Sequence, residues 1–441
     1  MINKVSAYLN NPTSILPLAI FRMAFGFIMG LSMLRFMRNG WIEEAYVNPT
    51  FHFTYTNFEW IQPFSASTMY ILVVLCAVAA FLISIGLFYR IATVSFFLLF
   101  TYLELIEKSW YLNHYYFVSL IAFLLIWLPA NGKYSCDSSI FKSLKKATVP
   151  TWTIAIIKFQ LSIVYFYGAI AKLKYDWLIE AQPLKIWLNA KTDIPLIGVI
   201  FENELTPFVF AWGGFLYDLI IPFLLWNRKS RPIGFILVLV FHILTHILFN
   251  IGMFPWLMIF GSLIFIESNE WRRLFGLSPN ISTIKFSALK TSRNLLIKGV
   301  FVVFVTIQIL APLRHFLLTD NVLWTERGFR FSWHVMVMEK TGIVKFTVKD
   351  PVSGKKWVEY PSQRLTKIQE TQMSFQPDMI WQYAKYLENT YKVKGVENPS
   401  ISVFSRVSLN GRPSQQYIDE NLDLTQLNNS NAIYKYISPL R

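Results

Sequence analysis

The sequence predicts a multi-span α-helical membrane bundle, about nine spans in all, with a small C-terminal α+β domain on its outer face. Three features predict it. Apolar stretches long enough to cross a bilayer recur through the first three quarters of the chain. Only 15% of the 441 residues are charged, against roughly 25% in soluble domains. From about residue 320 the pattern turns to the two-residue alternation of half-buried strands.

In chain order, the apolar runs cover about residues 15–36, 69–89, 91–106, 113–130, 152–171, 206–226, 233–249, 252–266 and 296–317. The first carries Arg22 and has no small-residue cleavage site after a short apolar core. It is therefore expected to be retained as a span rather than removed as a signal peptide. The third and eighth are short and expected to be tilted or partly buried in the bundle. Ala190–Phe201 is read as a re-entrant or interfacial piece. Cys76 and Cys136 make neither a metal spacing nor a disulfide framework.

A formal charge of +15 would suggest nucleic acid in a soluble protein. Here most of it lies in short loops between spans, and the part from Asp320 onward carries only about +4. Membrane topology and anionic headgroups account for that distribution, so no nucleic-acid partner is expected. With the N-terminus inside, the inner loops collect about fourteen Lys and Arg, including Arg90, Lys133, Lys145, Arg228 and Arg272, against about seven outside. Phe141–Lys146 and Trp271–Phe286 are expected to lie as basic amphipathic pieces on the inner surface.

Residues 1–319 thus form the membrane domain and 320–441 the α+β domain. In the latter, Phe331–Val337, Val344–Val348 and Ile401–Leu409 alternate as strands do. Thr341-Gly342 and Asp350-Pro351 through Gly354 read as hairpin connections, and Asn410-Gly411 as a stop. Pro377-Asp378 opens a helix with Met379, Ile380, Tyr383, Ala384 and Leu387 on one face.

The chemistry is expected where charge meets hydrocarbon. Tyr165–Trp177 ends an apolar helix in Lys172, Lys174 and Asp176. Charges at that depth must reach water, find a partner or serve a function. A desolvated lysine can act as a neutral-amine base; the alternative is a snorkelling pair, Lys172 and Lys174, with Asp176 as counter-ion. The predicted topology brings Asn113, His114, Lys172, Asp176, His242 and His246 to similar depth near the outer leaflet. His242 and His246, one turn apart, could share a metal, but no carboxylate motif accompanies them, so no metal is expected. Arg22, Glu104 and Lys158 are further charges in or near the spans, expected to be paired within the bundle.

Five ordered segments resemble vitamin K-dependent γ-glutamyl carboxylases and their bacterial relatives, the HTTM-domain proteins. They are Tyr165–Leu178, Trp110–Asn131, Phe241–Phe254, Trp324–Val337 and Val407–Asp419. The resemblance implies a carboxylase-type lyase coupled to epoxidation: a lysine amine deprotonates a vitamin K-type hydroquinone (or menaquinol), which reacts with O₂. The base so formed removes a γ-proton from a protein glutamate, and the carbanion adds CO₂. It assigns the catalytic lysine to Lys172, the Asn-His pair to Asn113 and His114, and a further family histidine to His242; His246, Asp176 and Trp333 are supporting candidates. It also implies lipid, quinone and a protein glutamate as partners in a bacterial inner membrane, where the loop charges place the N-terminus in the cytoplasm and the C-terminal domain outside it.

This chain departs from the animal enzymes in two places. Ala171-Lys172 stands where they carry two lysines, and Phe329 where the family has a tyrosine. Two alternatives stay open: a hydroquinone epoxidase with another acceptor, and a non-enzymatic quinone- or lipid-binding scaffold.

Overall fold

A computed structural model describes residues 7–249, 251–276 and 291–441, with side chains omitted for 291–295. Each apolar run becomes a helix: α1 (Leu16–Arg38), α2 (Ala66–Ile85), α3 (Tyr89–Ile106), α4 (Asn113–Trp127), α5 (Trp152–Lys172), α6 (Thr206–Trp226), α7 (Arg231–Leu248), α8 (Phe254–Ser262) and α9 (Thr291–Leu310). Among the described residues seven of these are long and apolar enough to cross a membrane, the last counted through Leu317. The shorter two are α4 and α8. Hence the fourth run is short, where the third was expected to be. Leu128 turns to extended backbone ahead of Pro129, as the residue before a proline must.

Arg22, the charge within the first run, forms no salt bridge among the described residues. Its guanidinium is buried and donates to the carbonyls of Ile83, Ser84 and Tyr134, each at 2.6 Å. It thus satisfies the carbonyl end of α2, where the helix dipole favours a cation. The chain leaves α2 through Gly86 at φ +68°, where a Cβ would lie 2.5 Å from the Arg22 Nη1. Lys158 likewise forms no salt bridge among the described residues, its Nζ lying over the Trp226 and Phe265 rings at 5.5 and 5.4 Å.

The connections sort to the two ends of the bundle. At one end β1 (Pro12–Ser14) pairs antiparallel with β2 (Thr148–Pro150), on the stretch that carries Lys133 and Lys146. Phe141–Lys146 forms a short exposed 3-10 turn, and Ser268–Leu274 a short helix; residues 277–286 of the second expected amphipathic piece lie outside the described residues. Ala190–Phe201 is mostly turn with a final short helix, Gly198–Phe201, and leaves Leu196 and Val199 exposed.

The opposite end carries the C-terminal domain, a four-stranded antiparallel sheet with two helices. Strand order is β4 (Lys356–Glu359), β3 (Lys340–Lys349), β5 (Ser400–Leu409), β6 (Gln415–Gln416). Helices α10 (Lys367–Met373) and α11 (Pro377–Val393) cover it, and the apolar face expected for α11 is buried. Asp350 to Gly354 does connect β3 to β4. Thr341-Gly342 lies inside β3 instead; glycine is needed there because a Cβ would meet the Ser374 carbonyl at 2.5 Å. Phe331–Val337 is not a strand. Phe331, Trp333 and Met336 have φ of 60°, 59° and 51°, outside the β region, and the rings of Phe331 and Trp333 pack on Tyr116 of α4.

Polar contacts dock this domain on the helix ends. Lys108 and Arg330 both donate to the Asp378 carboxylate, at 2.9 and 3.0 Å. Burial pushes that carboxyl up, but the two cations outweigh it and hold it well below the usual carboxylate range. Glu107 accepts from Gln369 at 2.8 Å, and Gln382 exchanges two hydrogen bonds with the Thr54 backbone.

Candidate functional site

Helix α5 stays apolar almost to its last residue, and that residue does not reach for water. Lys172 is 6% exposed. Its Nζ donates to Asp218 Oδ2 at 2.6 Å and to the Gly168 carbonyl at 3.4 Å. The Nζ also lies 5.3 Å from the Trp177 ring, which is fixed by its own N–H on the Ala211 carbonyl at 2.8 Å. A Cβ at Gly168 would stand 3.1 Å from Asp218 Oδ2, so the glycine one turn before Lys172 makes room for the pair. Two opposite charges this close in a low dielectric stabilise each other strongly, and either alone is costly.

Asp176 is engaged elsewhere. It accepts from both terminal nitrogens of Arg412 and from Asn410 Nδ2, all at 2.7 Å. Burial pushes the Asp176 carboxyl up, but the hydrogen bonds from Arg412 and Asn410 prevail and hold it below its ordinary value. This fork ties the end of α5 to the turn after β5. Lys174 lies 5.9 Å from the Phe316 ring.

Lys172, Asp218 and His242 line one cavity of about 300 Å³ with largely apolar walls from α5, α6, α7 and α8. Its rim includes Val209 and Gly213, both exposed on the outer face of α6. His242 Nε2 and the Tyr165 hydroxyl share a hydrogen bond at 2.9 Å, while Nδ1 is buried without a partner among the described residues. When the hydroxyl is the donor to Nε2, the ring proton resides on Nδ1 and leaves it a donor toward the cavity. His246 points to the exposed side of α7, 5.4 Å from the Trp256 ring, and does not line the cavity.

Asn113 and His114 belong to a second, adjoining cavity of about 250 Å³, which also takes in Arg35. Ile251, Phe254, Val335 and Met336 line both cavities. The Phe254 ring stands between the two histidines, 5.7 Å from His114 and 6.1 Å from His242. Asn113 is fixed by the His334 carbonyl and the Tyr111 hydroxyl, each at 3.1 Å. Trp333 borders neither cavity; it is buried on Tyr116 and carries Val335 and Met336 into the shared wall.

Asp218, Tyr165 and Arg35 were not anticipated as site residues. Asp218 had a visible signal, a lone carboxylate inside the apolar run Thr206–Trp226. Tyr165 and Arg35 had none, since neither hydroxyls nor helix-end arginines are unusual in such spans. No group of three or more His, Cys, Asp or Glu suited to a metal occurs among the described residues.

The HTTM domain family model matches residues 10–271, and the vitamin K-dependent gamma-carboxylase, lumenal domain, model matches residues 293–441. No solved structure matches the chain.

Proposed function

We propose, for a chain that belongs to the HTTM-domain family and carries a vitamin K-dependent gamma-carboxylase lumenal domain, a membrane-embedded hydroquinone oxygenation coupled to carboxylation of glutamate in a protein acceptor. The observation that carries this reading is the buried Lys172–Asp218 pair, set in a lipid-level apolar cavity with one unpartnered imidazole nitrogen.

The cavity suits a hydroquinone. Its walls match a lipophilic ring, and Lys172 and His242 Nδ1 are polar groups for ring oxygens. When bound, the hydroquinone supplies on reaction with O₂ the strong base that removal of a γ-proton demands. In the state in which its amine is neutral beside the Asp218 carboxylate, Lys172 receives the hydroxyl proton as a general base. Asp218 holds the amine in place and compensates the ammonium that results, so the protein gains no isolated buried charge. Tyr165 sets the His242 tautomer, and His242 Nδ1–H donates to the second ring oxygen.

The adjoining cavity is assigned to the second reactant. There His114 and Asn113 face the acceptor's carboxyl group, with CO₂ entering beside it, and Phe254 separates the two reactants. The C-terminal domain stands outside the cytoplasmic membrane in this reading, over the mouth of that cavity. A second reading keeps the hydroquinone oxygenation but gives it a different acceptor.

The test is direct. Purified protein is supplied with vitamin K hydroquinone, O₂, a glutamate-containing peptide and labelled CO₂, and epoxide and carboxylated product are assayed separately. Both products support the full proposal; epoxide alone supports the second reading. No epoxide from wild-type protein with any supplied hydroquinone refutes both.

A further inference from the structure

At the end of the bundle away from the C-terminal domain lies a cavity of about 820 Å³, far larger than either described above. Three cationic side chains from three separate elements line it: Lys158 on α5, Lys133 on the loop after α4, and Arg272 on the helix after α8. One carboxylate, Glu267, also lines it, but Arg231 engages that group at 3.1 Å. Lys158 and Lys133 therefore leave the cavity with a positive lining.

Lys158 sets the depth. It lies six residues past the start of α5, about 9 Å along the helix axis, at the level where headgroups meet acyl chains. Its ammonium lies over the faces of Trp226 and Phe265, and among the described residues it forms no salt bridge. Trp226 is 43% exposed, as suits an interfacial tryptophan, and opens the cavity toward the lipid side. Thr13, Thr148 and Thr151 add polar groups at its outer end.

We propose that this cavity binds the phosphate of an anionic phospholipid, with Lys158 and Lys133 on the phosphodiester and the first acyl carbons along Ile154 and Trp226. A cation at this depth meets its anion without leaving the interface, and each lysine contributes about fivefold to retention of the lipid. The site is independent of the reaction assigned to the opposite end. A free oxyanion shares the phosphate chemistry but has no use for the apolar opening.

The full chain, purified in a neutral detergent, is offered equimolar phosphatidylglycerol and phosphatidylcholine, and retained lipid is counted by native mass spectrometry. Wild type retains phosphatidylglycerol preferentially. Lys158→Gln lowers that preference about fivefold, Lys133→Gln by a similar factor, and Lys158→Arg restores it. The exposed Lys142→Gln on the same side leaves it unchanged. Equal retention of the two lipids by wild type overturns the proposal, as does an equal loss in Lys142→Gln, which would mean diffuse attraction. Displacement by millimolar inorganic phosphate without any lipid preference assigns a free-oxyanion site and overturns the lipid assignment.

Discussion

Replacing Asp218 by asparagine tests whether Lys172 works alone or as half of a pair. The substitution keeps volume, and the new Oδ1 can still accept from the amine, but the compensating charge is gone. At 2.6 Å, opposite charges attract by about 6 kcal/mol with an effective dielectric of 20, and desolvation offsets much of this. A catalysed proton transfer that creates the ammonium draws on the remainder. A loss of about 2.7 kcal/mol, less than half the Coulomb figure, is a hundredfold in rate, within the usual range for general-base catalysis. Epoxide formation by the Asp218→Asn variant is therefore expected to fall about a hundredfold, measured chromatographically under saturating hydroquinone. A wild-type or faster rate would refute the pair, since the amine would then gain nothing from the carboxylate. Lys172→Ala by itself is a poorer probe, because it orphans Asp218 at a cost of roughly 3–5 kcal/mol. The double variant Lys172→Met/Asp218→Leu removes both charges and is expected to fold and to make no epoxide.

Gly168→Val is expected to abolish epoxide formation, because a Cβ at this site already stands 3.1 Å from Asp218 Oδ2; full activity would show that the pair tolerates displacement. Tyr165→Phe, which frees the His242 tautomer, is expected to lower the rate about tenfold without altering retention of the quinone; loss of quinone binding instead would make Tyr165 structural. Acid is expected to loosen the C-terminal domain. Asp176 and Asp378 are held below their ordinary 3.8, so their stabilisation is present above that value and is lost as pH falls through the lower folded values. Proteolysis of the docking loops that rises on acidification below about pH 4, and already at neutral pH in Arg412→Ala, checks this; a flat profile counts against it. A reporter fused at Arg441 is expected to be active only in the exported compartment, and a cytoplasmic signal would reverse the proposed orientation.

The helices were legible because in a bilayer each backbone polar group must be satisfied within its own segment. Long apolar runs therefore have one outcome, whatever surrounds them. Lys172 and His242 stood out for a related reason, as polar groups where hydrocarbon makes them costly. The failed strand at Phe331–Val337 shows the limit. Its alternation was real, but the alternate rings pack on α4 rather than on a sheet, and a two-residue period does not say which surface it faces.

What the sequence determined by itself was the class of the fold, the order of its helices and the neighbourhood of its charges, all set by local hydropathy. What only the tertiary structure decided was who partners whom. Lys172 finds Asp218, 46 residues on, and Asp176 finds Arg412, 236 residues on. His114 and His242, expected to converge, instead line separate cavities on either side of Phe254. Ion pairs and cavity walls depend on distances between elements far apart in the chain, and helix periodicity carries no information about them.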